Sequence, residues 1–211
     1  MNKHYTEIEL ITLLCSKLCH DLINPISAAL NGCEMIDENI NDETNLLAES
    51  LVRKSLQRAS SQISLYRVAF GVFREDMTSL ENGELFRILN LYNDNKKIKL
   101  ELDLDNNLLK TSSVRLILNL YLVSLQLLPR GGNIVISDKN STIQAACYGK
   151  NFTINRDISN IFTSEDIDID LIDTKLIQIL FTKLIVTQLN KKIFLKELNN
   201  KEGIIIEIKS L

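Results

Sequence analysis

Apolar positions in the first part of the chain recur at helical spacing. Ile8, Ile11, Cys15, Leu18, Leu22, Pro25, Ala29 and Cys33 follow mostly in steps of three or four. This predicts a helix over residues 5–39 with one side built to pack against other helices. Asn24-Pro25 lies inside it; proline lacks a backbone donor and crowds the preceding turn, so a kink is expected there. A polar turn, Asn39 to Glu43, precedes a second helix predicted over about 45–76. Along it Val52, Leu56, Ala59, Ile63, Tyr66, Phe70 and Phe73 alternate in fours and threes. The two helices form an antiparallel hairpin with an apolar side that one hairpin cannot cover. A second copy covers it, so the pattern predicts an obligate homodimer built on a four-helix bundle.

After a short joint at Thr78–Asn82 the pattern changes. A helix is predicted over about 84–92. Ile98, Leu100, Leu102 and Leu104 alternate with Lys99, Glu101, Asp103 and Asp105, the signature of a half-buried strand. Thr111-Ser112-Ser113 supplies capping residues for a strongly apolar helix, 114–128. Pro129 to Gly132 turns that helix into a strand, 133–137, and a second strand follows at 142–148. The acidic stretch 164–170 reads as a solvated loop or short helix. Asp173 caps a helix running to about 188, and two strands, 192–197 and 203–209, close around Asn199-Asn200. The whole is an α+β chain of two domains, 1–77 and 78–211, the second an α/β sandwich.

Composition removes several function classes. With 211 residues, 45% of them hydrophobic, the chain is long enough to bury a core. The net charge of −3 offers no basic face for nucleic acid. No apolar run reaches the length of a membrane span, and MNKHYTEIEL lacks a signal peptide's apolar core; no membrane partner and a cytoplasmic location are expected. Cys15, Cys19 and His20 raise a metal reading, but C-x3-C-H is neither zinc nor haem spacing and no second Cys/His pair follows. Cys15, Cys19, Cys33 and Cys147 are therefore expected as buried, reduced thiols.

The candidate chemistry sits at His20. Two positions past Leu18, it points away from the packing side, and Asn24, Ser27, Ala28 and Asn31 continue the same stripe with small or short side chains. A solvated imidazole above a flat strip suits the approach of a second protein. An imidazole titrates near pH 6.5, so at neutral pH a ring nitrogen carries a free lone pair able to take a group covalently. Asp21 can orient the ring or accept its proton. A lone exposed histidine on a helix is otherwise only a surface residue.

The segment His20-Asp21-Leu22-Ile23-Asn24-Pro25 resembles the H-box of the dimerisation and phosphotransfer domain of histidine kinases. More closely, LCHDLINPISAALNG, Leu65–Gly71 (LYRVAFG) and Leu127–Gly132 (LLPRGG) resemble the ChpT family of histidine phosphotransferases of alphaproteobacteria, over nearly the whole chain. The order of elements after residue 78 resembles the ATP-binding domain of histidine kinases with its nucleotide site lost. Asn119 matches the first asparagine of that fold's N-box pattern, but the metal-holding position four residues on is Val123. No Asp-x-Gly-x-Gly box follows the strand at 142–148, and 173–186 is bulky where a glycine box belongs.

The resemblance implies a homodimeric phosphotransferase. His20 takes a phosphoryl group from a hybrid kinase's receiver domain and passes it to response-regulator aspartates; the implied partners are CckA-like, CtrA-like and CpdR-like. No cofactor is expected to be bound tightly, and Mg²⁺ is expected on the partner regulator. Asn24 either positions a water that dephosphorylates the partner, by family precedent, or only solvates the kink before Pro25. The docking strip is Asn24, Ser27, Ala28 and Asn31 with Arg58, Gln62, Tyr66 and Arg67 of the second helix. An autophosphorylating histidine kinase and a non-catalytic dimeric docking scaffold are the alternatives.

Overall fold

The computed structural model describes residues 7–39, 41–71, 79–93, 97–149, 156–164, 167, 171–198 and 202–210. Helix α1 (Glu7–Glu38) runs through Pro25, and α2 (Asp42–Ala69) returns beside it. Helix α2 begins earlier than the periodicity predicts because Asn41 caps it: its Oδ1 accepts from the Thr44 amide at 2.9 Å. It ends at Ala69; Phe73 and Thr78, the first residue of the predicted domain joint, lie outside the described residues. The helices approach closely at Gly32, where a Cβ would stand 2.7 Å from Val52 Cγ2 and 3.2 Å from the Ala48 carbonyl oxygen. A side chain there would push the hairpin apart, so this mid-helix glycine is kept despite its helix propensity.

The packing side of α1 differs from the predicted stripe. Pro25, Ala29 and Gly32 are buried, and Leu14, Leu18 and Ile36 are half-buried. Ile8, Cys15, Cys19, Ile26, Leu30 and Cys33, in steps of seven, four and three, form a second apolar side that stands exposed. A run of threes and fours drifts around a helix, and the predicted stripe merges these two sides. The three α1 cysteines are accordingly exposed, against expectation; Cys147 is buried, and all four are free thiols. On α2, Ala59 and Tyr66 are buried while Leu56 and Ile63 remain more than half exposed.

The second domain is a five-stranded sheet under helices. Its strands are β2 (Ile98–Leu104), β4 (Gly132–Lys139), β5 (Thr142–Tyr148), β6 (Lys192–Glu197) and β7 (Gly203–Lys209), in spatial order β2-β4-β5-β7-β6. Only β2 and β4 pair in parallel, with Leu100 opposite Ile134; the other pairs are antiparallel. Two short strands, β1 (Ser79–Glu81) and β3 (Leu108–Lys110), pair separately and are too short for alternation to reveal. Gly131 makes the turn into β4 at φ +96°, where a Cβ would meet the Lys97 carbonyl. The turn at Asn199-Asn200 and most of the acidic stretch lie outside the described residues.

Helices α3 (Asn82–Asn93), α4 (Thr111–Leu127), α5 (Arg156–Thr163) and α6 (Ile177–Gln188) complete the fold. Thr111 is already helical and Lys110 takes the N-cap position with no side-chain cap bond, so the predicted capping trio lies inside the first turn. Asp173 precedes α6: its Oδ1 accepts from the amides of Lys175 and Leu176, both at 2.8 Å. One face of the sheet is apolar, with Ile134, Ile136, Ala145, Ile204 and Ile206 wholly buried beneath the helices. The same core continues into Leu65, Tyr66 and Ala69 of α2, with Leu14 and Leu18 of α1 packed against it. The hairpin and the sheet domain are thus joined through a shared core. No described helix is long and apolar enough to cross a membrane.

Candidate functional site

His20 lies on the side of α1 turned away from α2, with its side chain 72% exposed. Asn24, Ser27 and Asn31 are exposed along the same stripe, and Ala28 is half-buried at its edge. Next to the imidazole, Asp21 is fixed from three directions. Its Oδ2 accepts from Lys17 Nζ at 2.7 Å and from the Tyr66 hydroxyl at 2.8 Å. Its Oδ1 faces His20 Nδ1 at 3.6 Å, just beyond hydrogen-bond length.

The electrostatics follow from this arrangement. Burial pushes the Asp21 carboxyl up, but the Lys17 ammonium, the Tyr66 hydroxyl and His20 together outweigh it and hold the carboxyl below its ordinary value. Asp21 is therefore a carboxylate at neutral pH. Burial drives the Tyr66 phenol far above its ordinary value, with Tyr92 and the Asp21 charge adding to the effect. Tyr66 is thus a permanent donor toward Asp21. Tyr92 of α3, likewise pushed up by burial, is hydrogen-bonded to Tyr66.

The residues predicted on α2 divide. Arg58 is exposed beside the strip, whereas Gln62 and Tyr66 are 7% and 6% exposed behind α1 and offer a docking partner no surface. Sequence register places them level with His20, but their helical phase turns them inward. Arg67 is exposed too, yet nine residues from Arg58 it falls on the opposite side of α2 at about 100° per residue. There it adds to the attraction that keeps the Glu84 carboxyl low, mainly the work of Arg87.

A cleft opens directly below the strip. Asn24, Pro25 and Ala28 line it from α1, Leu51, Lys54 and Arg58 from α2, and Leu91 and Tyr92 from α3. Lys17, Lys54 and Tyr92 are site residues that the sequence reading missed. Lys17 was discoverable as the i,i+4 partner of Asp21; Tyr92 carries no local signal. Among the described residues, no group of three His, Cys, Asp or Glu side chains is placed to hold a metal ion.

Comparison with known proteins agrees with this architecture. Residues 82–200 match the family model of the histidine phosphotransferase C-terminal domain. Protein phosphotransferase ChpT of Brucella abortus (strain 2308) is 32% identical over 129 residues; the match spans 61% of this chain and 60% of that protein. A solved bacterial phosphotransferase superposes with a TM-score of 0.83 at 25% identity, over 99% of this chain and 100% of the other. With a family model matched over more than half its length, and a fold shared from α1 to β7, the chain belongs to the histidine phosphotransferase family defined by that C-terminal domain.

Proposed function

We propose that the protein is a homodimeric histidine phosphotransferase, acting in the cytoplasm, that carries a phosphoryl group between receiver aspartates through His20. The observation that carries this reading is the exposed imidazole of His20 beside a carboxylate whose second oxygen is already fixed. With Asp21 at Nδ1, the proton of the neutral ring belongs on Nδ1 and the lone pair on Nε2, which faces solvent. Nε2 attacks phosphorus in line, the P–N bond forms, and the P–O bond to the donor aspartate breaks to release its carboxylate. The ring becomes cationic and Asp21 stabilises it; transfer to the acceptor runs the same steps in reverse. Such transfers are catalysed chiefly by positioning and charge neutralisation. The receiver supplies Mg²⁺ and the aspartate, and this chain supplies the imidazole and the dock.

Two further features support the reading. Exposed large apolar side chains concentrate on the hairpin, among them Ile8 (74%), Ile11 (61%), Leu30 (59%), Leu56 (54%) and Ile63 (52%). An apolar surface of this kind marks an interface, and a second copy of the hairpin completes the bundle. The nucleotide site implied by the kinase-like fold does not fit these residues. Asn119 is wholly buried, with its amide directed to the carbonyls of Ala69 and Arg115 and its oxygen accepting from Gln178. Val123, also wholly buried, offers no oxygen to a cation, so no step of the transfer runs through ATP.

The test is incubation with a phosphorylated receiver domain and Mg²⁺. Acid-labile label on His20, absent from His20→Gln, is expected. Label on another residue, or none on the wild-type dimer, refutes the reading.

A further inference from the structure

The described contacts give Tyr66 a role other than docking. It is buried, it sits 45 residues from Asp21 in sequence, and its hydroxyl reaches that carboxylate at 2.8 Å. Its ring packs at 5.5 Å from Phe70 and 6.3 Å from Tyr92, centroid to centroid. Tyr92 in turn meets Tyr121 edge-on at 6.1 Å, and the Tyr121 hydroxyl donates to Asn93 at 2.8 Å. The phenol donates to Asp21 from within this aromatic cluster. These contacts form a continuous path from the core of the sheet domain, through α3, to the carboxylate beside His20.

We propose that Tyr66, braced by Tyr92 of the second domain, is a positioning residue for phosphotransfer: it holds the Asp21 carboxylate so that Oδ1 meets His20 Nδ1 and Nε2 is left as the nucleophile. The inference rests on the phosphotransfer reading and adds a task for the second domain, which is to preorganise the site. The physical reason is the two-fold freedom of a carboxylate. A carboxylate paired with Lys17 alone can turn either oxygen to the ammonium and swing away from the ring. With two donors on Oδ2, from α1 and from α2, rotation costs two charge-assisted hydrogen bonds at once. The groups facing Asp21 are Lys17 and His20 on α1, Tyr66 on α2 and Tyr92 on α3. Among them Tyr66 alone approaches from α2 with a donor that stays protonated across the working pH range.

Tyr66→Phe removes the donor and keeps the ring in its packing. Single-turnover transfer from ³²P-labelled protein to a receiver domain, across receiver concentrations, separates positioning from docking. The expected result is a maximal rate about ten- to a hundredfold lower, the range a lost hydrogen bond to a charged group produces, with the half-saturating receiver concentration unchanged. Tyr92→Phe is expected to lower the maximal rate about two- to threefold, because it loosens Tyr66 without removing it. In an Asp21→Asn background, Tyr66→Phe is expected to add nothing.

A second readout needs no transfer. Nitrogen-15 chemical shifts of His20 near pH 8.5 report which ring nitrogen carries the proton. Tyr66→Phe is expected to shift the population from Nδ1–H toward Nε2–H. Wild-type tautomer populations and a wild-type maximal rate in Tyr66→Phe overturn the proposal. So does a loss confined to half-saturation, which would make Tyr66 a docking support. A tautomer shift in Tyr66→Phe, found while wild-type protein takes up no label, instead sinks the phosphotransfer reading and leaves the hold on the imidazole standing.

Discussion

The side-chain amide of Asn119 donates to the main-chain carbonyl of Ala69 over 2.9 Å. The bond ties the middle of α4 to the last residue of α2, and Gln178 on α6 donates to the same side chain's oxygen at 2.8 Å. Arg115 adds a longer bond to the Ala69 carbonyl at 3.4 Å and lays its guanidinium 5.6 Å from the Phe181 ring centroid. This face of α4 is thus a joint between hairpin and sheet domain.

Asn119→Ala therefore acts on stability. It leaves the Gln178 amide without its acceptor in the core and removes the shorter of the two described side-chain bonds to the Ala69 carbonyl. Orphaned buried polar groups cost about 1–3 kcal/mol each, and a loss of about 3 kcal/mol is expected by urea denaturation. A loss below about 1 kcal/mol would show that the joint is held by its apolar contacts instead.

The sequence made the elements legible where periodicity was long and regular. The alternation over 98–104 matched β2 residue for residue, and α4, α6, β6 and β7 fell close to their predicted bounds. Side assignment was less legible, because steps of three and four cannot distinguish a helix that buries one stripe from one that buries two. That ambiguity merged Cys15 and Cys33 with Pro25 and Ala29, whereas Gln62 and Tyr66 were set beside His20 by hairpin register alone, which says nothing of their helical phase. His20 was visible as a polar residue off the packing side. Its environment was not: Asp21, Tyr66 and Tyr92 come together only through the crossing of α1, α2 and α3, which no local pattern encodes.

The exposed apolar side of the hairpin separates two kinds of core substitution. Ile63 is 52% exposed in the single chain and Leu65 is 0% exposed in the shared core. A charge at Leu65 has no water to retreat to, so Leu65→Asp is expected to unfold the protein. Ile63→Asp is expected to dissociate the dimer while far-ultraviolet dichroism stays largely helical. Sedimentation velocity at micromolar concentration reads the difference. A dimeric Ile63→Asp would place the interface on another side of the hairpin.

The thiols give a second test of the proposed dimer interface and a pH dependence. Cys15, Cys19 and Cys33 stand on the uncovered side of α1, whereas Cys147 is wholly buried in β5. A disulfide reagent is expected to reach the first three at a rate that falls as protein concentration rises and dimers form. It is expected to reach Cys147 only on unfolding. Burial pushes the Cys147 thiol from its ordinary 9.0 up to about 11, partly offset by the Ser124 hydroxyl. The folded state thus favours the neutral thiol. Its contribution is complete below pH 9 and is lost as the pH rises through about 11. Cys147→Ala is expected to flatten the alkaline decline in stability relative to wild type between about pH 9 and 11. Parallel stability profiles for the two proteins would contradict it.

Chemistry and docking are separable because His20 and Ala28 share one stripe but not one task. His20 is 72% exposed and makes no packing contact that the fold depends on, so His20→Gln is expected to abolish labelling while dimerisation and receiver binding persist. Ala28 is half-buried at the mouth of the cleft, two turns below the imidazole. Ala28→Arg fills the strip proposed as the receiver's docking surface, and it adds charge beside Lys54 and Arg58, both of which line the same cleft. The imidazole, Asp21 and Tyr66 are untouched by that change. Transfer by Ala28→Arg is therefore expected to fall about tenfold or more at low receiver concentration, a cost of at least about 1.4 kcal/mol in docking, and to recover toward wild type at saturation. His20→Gln recovers at no concentration. Normal transfer by Ala28→Arg at low receiver concentration would move the dock away from α1, and label on His20→Gln would move the chemistry away from His20.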